Sequence, residues 1–108
     1  MKINEYQEKA LATAIYGVGS QIIYPTLGLT GEAGEVAEKV KKALRDKNGE
    51  FSDEYKLEIL KEVGDVLWYC NALCRDLGYT LEECMELNIQ KLESRKQRNI
   101  ISGNGDNR

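Results

Sequence analysis

Two short acidic motifs contain the residues of this chain that are best suited to do chemistry. EAGE spans Glu32–Glu35 and EVGD spans Glu62–Asp65, and each begins and ends with an acid. Residues three positions apart lie on one face of a helix, so each motif presents a pair of carboxylates. One such pair is more often a solvated acidic face than a metal site. The second copy favours a site, because both pairs lie in long helical patterns that must pack together in a small domain.

Facing pairs of carboxylates need a counter-ion. Four carboxylates held together repel one another, and burying them unpaired costs several kcal/mol per ion or forces protonation. A divalent cation relieves both penalties, and an all-oxygen donor set suits Mg²⁺, or Mn²⁺ as the alternative. The sequence therefore predicts a metal site, with catalytic and metal-binding roles for Glu32, Glu35, Glu62 and Asp65.

Histidine is absent from the chain. A di-iron carboxylate bundle needs Glu-x-x-His motifs, so that class is excluded together with histidine triads and histidine-ligated zinc. The three cysteines, Cys70, Cys74 and Cys84, are an odd number in a chain without a secretion signal. We interpret them as small buried apolar side chains and not as a disulfide framework.

Glycines beside the acids require a reason, since a glycine inside a helix costs roughly 0.5–1 kcal/mol relative to alanine. We hypothesise that Gly34 and Gly64 make room for the neighbouring helix, a phosphate chain or a base. The alternative is simple close packing of helices.

Basic residues follow the acids on two helices. Lys39 and Lys42 lie on about the same side as Glu35, and Asn88, Lys91 and Arg95 form one polar stripe. They are either a solvated face with intrahelical ion pairs or, beside a metal, ligands for phosphate. The second interpretation makes all five substrate-binding candidates.

Helical periodicity predicts the elements that position these residues. No segment alternates in the manner of a strand, so the sequence predicts an all-α, four-helix fold. Thr80 and Glu83 form a capping box, Gly78 is a stop signal, and Leu57, Leu60, Val63 and Leu67 are expected on a buried side of the third helix. The expected helices are Asn4–Tyr16, Leu27–Arg45, Asp53–Leu77 and about Thr80–Asn99, with the loop GVGSQIIYPT after the first.

The composition is that of one soluble domain. The chain has 108 residues, 42% apolar and 31% charged, with a formal net charge of −3. We expect one domain over residues 1–101, a flexible tail over 102–108, no nucleic-acid partner and no membrane partner. The N-terminus lacks the apolar run of a signal peptide, so a cytoplasmic location is expected.

The segments GLTGEAGEVAEKVKKALRD, EILKEVGDVLWYCNAL and NIQKLESR together resemble the MazG-like nucleoside triphosphate pyrophosphohydrolases, an all-α family. The resemblance extends from Tyr6 to about Arg95. It differs at Gly31, where many full MazG domains have a further glutamate, and so resembles the short, single-domain branch.

The resemblance implies Mg²⁺-dependent hydrolysis of a (deoxy)nucleoside triphosphate to a monophosphate and pyrophosphate, consistent with cleaning of the nucleotide pool. It implies that the four acids are metal ligands, that Lys91 and Arg95 lie near the phosphates, and that Tyr69 occupies an aromatic position of the family. It also implies a homodimer or homotetramer. Two alternatives stay open, a catalytically inactive nucleotide-binding protein and a helical interaction module without a ligand.

Overall fold

The computed structural model describes residues 1–108 and contains four α-helices and no strand. This confirms the predicted all-α class. The helices are α1 (Ile3–Leu11), α2 (Ile23–Asp46), α3 (Asp53–Asp76) and α4 (Leu81–Gln97), and one turn of 3₁₀ helix lies at Val18–Ser20.

An antiparallel hairpin of α2 and α3 forms the centre of the fold. Each helix has 24 residues and is therefore about 36 Å long. Near the turn, the Tyr55 hydroxyl of α3 donates to the backbone carbonyl of Lys39 in α2. At the far end, the carboxylate of Asp76 accepts from the backbone N–H of Ile22 at 2.9 Å. The two acidic motifs lie between these contacts, one on each helix.

The signals at the ends of α3 and α4 are formed as the sequence predicts. Thr80 Oγ1 accepts from the backbone N–H of Glu83 at 3.1 Å, and Glu83 Oε1 accepts from the backbone N–H of Thr80 at 2.9 Å. This confirms the capping box. Gly78 has a φ of +88°, which favours glycine over other residues, so the chain leaves α3 there.

The first helix is shorter than predicted. It begins at Ile3, one residue before the predicted start at Asn4, and it ends at Leu11 and not at Tyr16. The carbonyl of Ala10 accepts from Thr13 Oγ1 and from the indole Nε1 of Trp68 in α3. Because these side chains occupy that carbonyl, a tertiary contact ends the helix before the glycines do.

The second helix starts earlier than predicted, at Ile23 and not at Leu27. Pro25 lies in its first turn, where backbone N–H groups have no intrahelical partner and proline is tolerated. The predicted loop therefore loses its last four residues to the helix.

Few side chains of this fold are buried. Nine of 108 residues are buried, and α1 and the start of α4 cover only the C-terminal half of α3, around Asn71 and Ala72. The expectation of a buried apolar side on α3 is wrong for this chain alone, because the other three helices leave much of that side uncovered. Leu57, Leu60, Val63 and Leu67 are 57, 61, 44 and 42% exposed.

The expected burial of the cysteines is also wrong for Cys84, which is exposed, while Cys70 and Cys74 are partly buried.

The exposed surface is large for the mass of the chain. A monomer of 12.2 kDa typically exposes about 6,100 Å², whereas this chain exposes 8,045 Å². Its radius of gyration is 16.7 Å, against about 13 Å for a compact domain of this length. None of the helices has the length and apolar character that crossing a membrane requires.

Candidate active site

Three of the four predicted acids converge between α2 and α3. One carboxylate oxygen from each of Glu32, Glu62 and Asp65 lies within 4.8 Å of the others, and we call these residues the acidic trio. Glu32 and Glu62 are partly buried, and Asp65 is exposed. The three-residue spacing in α3 places its two acids on one face, and the antiparallel pairing of the helices brings Glu32 opposite them.

Charge accumulates at the trio. Burial and then the carboxylates of Asp65, Glu62 and Glu35 raise the pKa of Glu32 above its ordinary value. No Lys or Arg forms an ion pair with any member of the trio. The negative charge of the trio is therefore not balanced by a Lys or Arg side chain. Three carboxylate oxygens from two helices fit a hard divalent cation such as Mg²⁺.

The fourth predicted acid, Glu35, lies one turn beyond Glu32 but outside the trio. Its side chain is exposed, although its charge still contributes to the raised pKa of Glu32. The structure thus distinguishes three clustered carboxylates from one free carboxylate beside them.

Two members of the trio, Glu32 and Asp65, line a cleft with aromatic walls. Thr13, Glu32, Asp65, Trp68 and Tyr69 line this acidic cleft, which has a volume of about 350 Å³. The Trp68 indole Nε1 donates to Thr13 Oγ1 at 2.8 Å and to the carbonyl of Ala10 at 3.1 Å. Trp68 is therefore held in one orientation against the segment that follows α1.

Tyr69 is held by α2 on one side and by a second tyrosine on the other. A Cβ at Gly28 would overlap the Tyr69 ring, so glycine is required there for the two helices to pack. The Tyr24 ring centroid lies 6.1 Å from that of Tyr69. A hydrogen bond with Tyr24, then burial and the charges of Glu32 and Asp65, raise the pKa of Tyr69. Its hydroxyl therefore stays protonated beside the acids.

The glycines of the motifs have a different environment from Gly28. A Cβ at Gly31, Gly34 or Gly64 would meet nothing within 4 Å. Neither close helix packing nor room for a neighbouring helix within the chain explains Gly34 and Gly64. Of the explanations that the sequence offered, space for a phosphate chain or a base stays a prediction.

The basic residues of α2 do not reach the trio. Lys39 Nζ lies 3.8 Å from Glu58 Oε2 and 5.9 Å from the centroid of the Tyr55 ring, toward the hairpin turn. Lys42 is exposed and forms no ion pair.

Polar residues of α4 line a different cavity. Asn88 and Lys91 border an apolar cavity of about 360 Å³ that shares no residue with the acidic cleft. Lys91 Nζ pairs with Asp106 Oδ1 of the tail at 3.0 Å, and Arg95 Nη2 donates to the carbonyls of Gly105 and Asp106. Neither forms the intrahelical pair considered from the sequence. Within one chain, the acids and the α4 cations are therefore apart.

Sequence reasoning missed Thr13, Tyr24 and Asp76. Thr13 and Tyr24 contact the walls of the cleft, and Asp76 holds the segment between α1 and α2. No motif indicates these residues, because their partners in these contacts lie 45 to 55 positions away in the chain. Only the aromatic residues that flank the loop GVGSQIIYPT offered a signal.

Two comparisons with known proteins identify the family of the chain. The family model described as the MazG nucleotide pyrophosphohydrolase domain matches residues 25–99. The chain is also similar to the Gene 37 protein of Mycobacterium phage L5, with 46% identity over 114 aligned positions that cover all of both chains. No solved structure matches.

Proposed function

The chain belongs to the MazG nucleotide pyrophosphohydrolase domain family, and from this premise we propose that it hydrolyses (deoxy)nucleoside triphosphates to a monophosphate and pyrophosphate. Water adds, and the bridging P–O bond between the α and β phosphates breaks. The observation that carries the proposal is the convergence of three carboxylates from facing helices at a cleft lined by two aromatic side chains.

The acidic trio would hold Mg²⁺. Glu32, Glu62 and Asp65 supply oxygen donors only, and burial together with repulsion by the neighbouring carboxylates raises the pKa of Glu32. A bound cation would offset both effects. When bound, Mg²⁺ supplies positive charge to the phosphates and lowers the pKa of a coordinated water.

Glu35 is the residue that we assign to the nucleophilic water. Its carboxylate lies outside the trio but close enough to influence Glu32, and it is exposed to solvent. A free carboxylate beside the reacting phosphate can accept a proton from water, which typically contributes 10²–10⁴-fold to a rate. This assignment differs from metal binding, which the sequence predicted for all four acids.

The aromatic walls would receive the nucleobase. Trp68 and Tyr69 border the cleft with their rings in a T-shaped arrangement at 5.0 Å. A flat base gains contact area and stacking energy against such rings. The phosphates then lie toward Glu32 and Asp65, with the base toward α1.

A second copy of the chain would complete the site. No Lys or Arg lines the acidic cleft. The surface of one chain in excess of a typical monomer is about 2,000 Å², more than the roughly 800 Å² that each partner buries in a standard stable interface. We place Lys91, Arg95 and Asn88 near the phosphates only in such a homodimer or homotetramer, together with Lys39 and Lys42. A cytoplasmic location stays a prediction.

The decisive experiment is pyrophosphate release from a panel of nucleoside and deoxynucleoside triphosphates with Mg²⁺. We expect wild-type protein to form monophosphate and pyrophosphate, and Glu62→Gln to lose roughly 100-fold or more of that rate. Glu54→Gln is the matched control, since Glu54 lies on the same helix, is exposed and forms no ion pair. Nucleotide binding without hydrolysis would contradict the proposal and favour the inactive binding protein.

Glu35→Gln separates the two roles of this residue. As proton acceptor, it should lose turnover and still be stabilised by Mg²⁺ in a thermal melt. Loss of the Mg²⁺ effect as well would show that Glu35 is a fourth metal ligand.

A further inference from the structure

The segment between α1 and α2 contains one strained residue. Ile22 has φ +68° and ψ −52°, and the backbone N–H of Ile23 donates to the carbonyl of Gln21 at 2.7 Å. These values describe a γ-turn of the rare, strained kind, and a β-branched residue disfavours positive φ. Such a conformation persists only where surrounding contacts impose it.

A buried carboxylate imposes that conformation. The Asp76 side chain is 0% exposed, and its Oδ2 accepts from the backbone N–H of Ile22 and from the Tyr16 hydroxyl, each at 2.9 Å. Its Oδ1 accepts from Arg75 Nε at 3.2 Å. Burial alone would raise the pKa of Asp76, but these hydrogen bonds and the Arg75 charge lower it, so the group is anionic.

The start of α2 lacks a cap of its own. It has no side-chain cap and no acid in its first turn. Backbone N–H groups at a helix N-terminus need acceptors, and a negative charge there is favourable. Asp76, the last residue of α3, supplies both from the neighbouring helix.

The contacts of Asp76 continue to the acidic cleft. Tyr16, which Asp76 holds, stacks on Tyr24 with ring centroids 4.9 Å apart, and Tyr24 contacts Tyr69 in the cleft wall. We propose that Asp76 is a positioning residue, which holds the strained turn at Ile22 and, through Tyr16 and Tyr24, fixes the Tyr69 wall against which the nucleobase binds. The substrate part of this inference rests on the proposed function.

The chain offers a matched control for Asp76. Asp46 is the last residue of α2, as Asp76 is of α3, and each is paired with the arginine that precedes it. Asp46 is exposed and accepts from Arg45 alone. Asp46→Ala therefore removes the same chemical group without touching the turn.

Trp68 reports on the segment without any need for turnover, because it is the only tryptophan and it donates to Thr13. In Asp76→Ala, we expect stronger quenching of Trp68 fluorescence by acrylamide and faster chymotryptic cleavage after Tyr16. The KM for the triphosphate should rise roughly threefold to tenfold through loss of the ordered aromatic wall, with a smaller change in kcat. Stabilisation by Mg²⁺ should be unchanged, since the trio is intact. Asp46→Ala should match wild type throughout.

Ile22→Gly tests the same anchor if Asp76→Ala does not fold. Glycine adopts positive φ without strain, so Asp76→Ala/Ile22→Gly should recover part of the protection of Trp68. Unchanged quenching and cleavage in folded Asp76→Ala would overturn the anchoring role. Altered quenching with an unchanged KM would overturn the role in substrate binding. If wild type hydrolyses no triphosphate, the proposed function fails, and nucleotide affinity measured by Trp68 fluorescence replaces KM in the same test.

Discussion

Burial and then the neighbouring carboxylates raise the pKa of Glu32, and two of these neighbours are close in space but not in sequence. Asp65 and Glu62 are thirty and more positions away in the sequence, yet their carboxylates raise its pKa from across the hairpin. The sequence predicted this proximity because two acidic pairs lay on apolar helices. It could not separate Glu35 from the trio, since that distinction depends on how far α2 is rotated against α3.

We expect Glu32→Gln to stabilise the metal-free protein at neutral pH and to abolish its response to Mg²⁺. A pKa raised by folding means that the folded state binds the proton more tightly. The contribution of the Glu32 carboxyl to folding stability is therefore present at low pH, and it is lost as the pH rises through the pKa of Glu32 in the folded state. As the pH rises through this range, the stability of Glu32→Gln should fall less steeply than that of wild type.

Thermal melts against pH and Mg²⁺ measure both effects. At a Mg²⁺ concentration 100 times its Kd, wild type should gain about 2.7 kcal/mol, or on the order of 10 °C in melting temperature. Glu54→Gln should respond to Mg²⁺ as wild type does. An equal response in Glu32→Gln would remove Glu32 from the metal site.

At the scale of elements, the helices could be predicted better than their ends. The capping box at Thr80 and the stop at Gly78 are local signals, and both are formed. The end of α1 depends instead on Trp68, 58 positions away from Ala10, so periodicity extended that helix too far. Likewise, the apolar residues on the exposed side of α3 have helical spacing. This spacing indicates a buried face but does not identify the surface that covers it.

Two glycines of α2 should respond in opposite directions to alanine. A Cβ at Gly28 overlaps the Tyr69 ring, so Gly28→Ala should destabilise the fold by about 1–3 kcal/mol. A Cβ at Gly34 meets open space, so Gly34→Ala should stabilise the helix by about 0.5–1 kcal/mol. Denaturant unfolding measures both.

Gly34→Ala also tests whether the substrate occupies the space beside the acids. If Gly34 leaves room for a phosphate chain, Gly34→Ala should gain stability and lose nucleotide hydrolysis. A Gly34→Ala variant with full activity would leave only backbone flexibility as the reason for this glycine.

The tail is a separate element that covers the cations of α4. Arg95 is 6% exposed and donates to tail carbonyls, while its Nε lacks any partner. Lys91 and Arg95 both approach the exposed carboxylate of Asp106. Deleting residues 102–108 should therefore free both cations for a phosphate, and the predicted flexibility of the tail would make this release easy.

Removal of the tail should cost little stability through Lys91, because an exposed ion pair contributes about 0–1 kcal/mol. We expect the truncated chain to bind inorganic pyrophosphate more tightly than the full chain, as measured by calorimetry. Asp106→Asn should reproduce part of this gain. Weaker binding after truncation would show instead that the tail helps to form the anion site.

At the scale of the whole molecule, one chain leaves both its apolar surface and its site incomplete. The hairpin exposes Leu57, Leu60 and Val63, and the acidic cleft has no basic lining residue. The sequence predicted oligomerisation from chain length and family resemblance, but which helix faces meet depends on shape and stays a prediction. A second copy could cover the exposed leucines and bring its own α4 cations to the acids of the first.

Mixing two inactive variants tests whether the site is shared between copies. Glu62→Gln removes a trio carboxylate, and Arg95→Ala removes the buried cation of α4, so each homo-oligomer should be inactive. If acids and cations come from different copies, mixed oligomers contain sites that combine an intact trio with an intact Arg95. In a mixed dimer, one of the two sites is intact, and half of the molecules in an equal mixture are mixed, so about a quarter of wild-type activity should return.

Mixtures of Glu62→Gln with Asp65→Asn are the control and should stay inactive, since both residues belong to one trio. Sedimentation must show an oligomer in each case; activity that stays absent in a proven mixed oligomer would place acids and cations in the same copy.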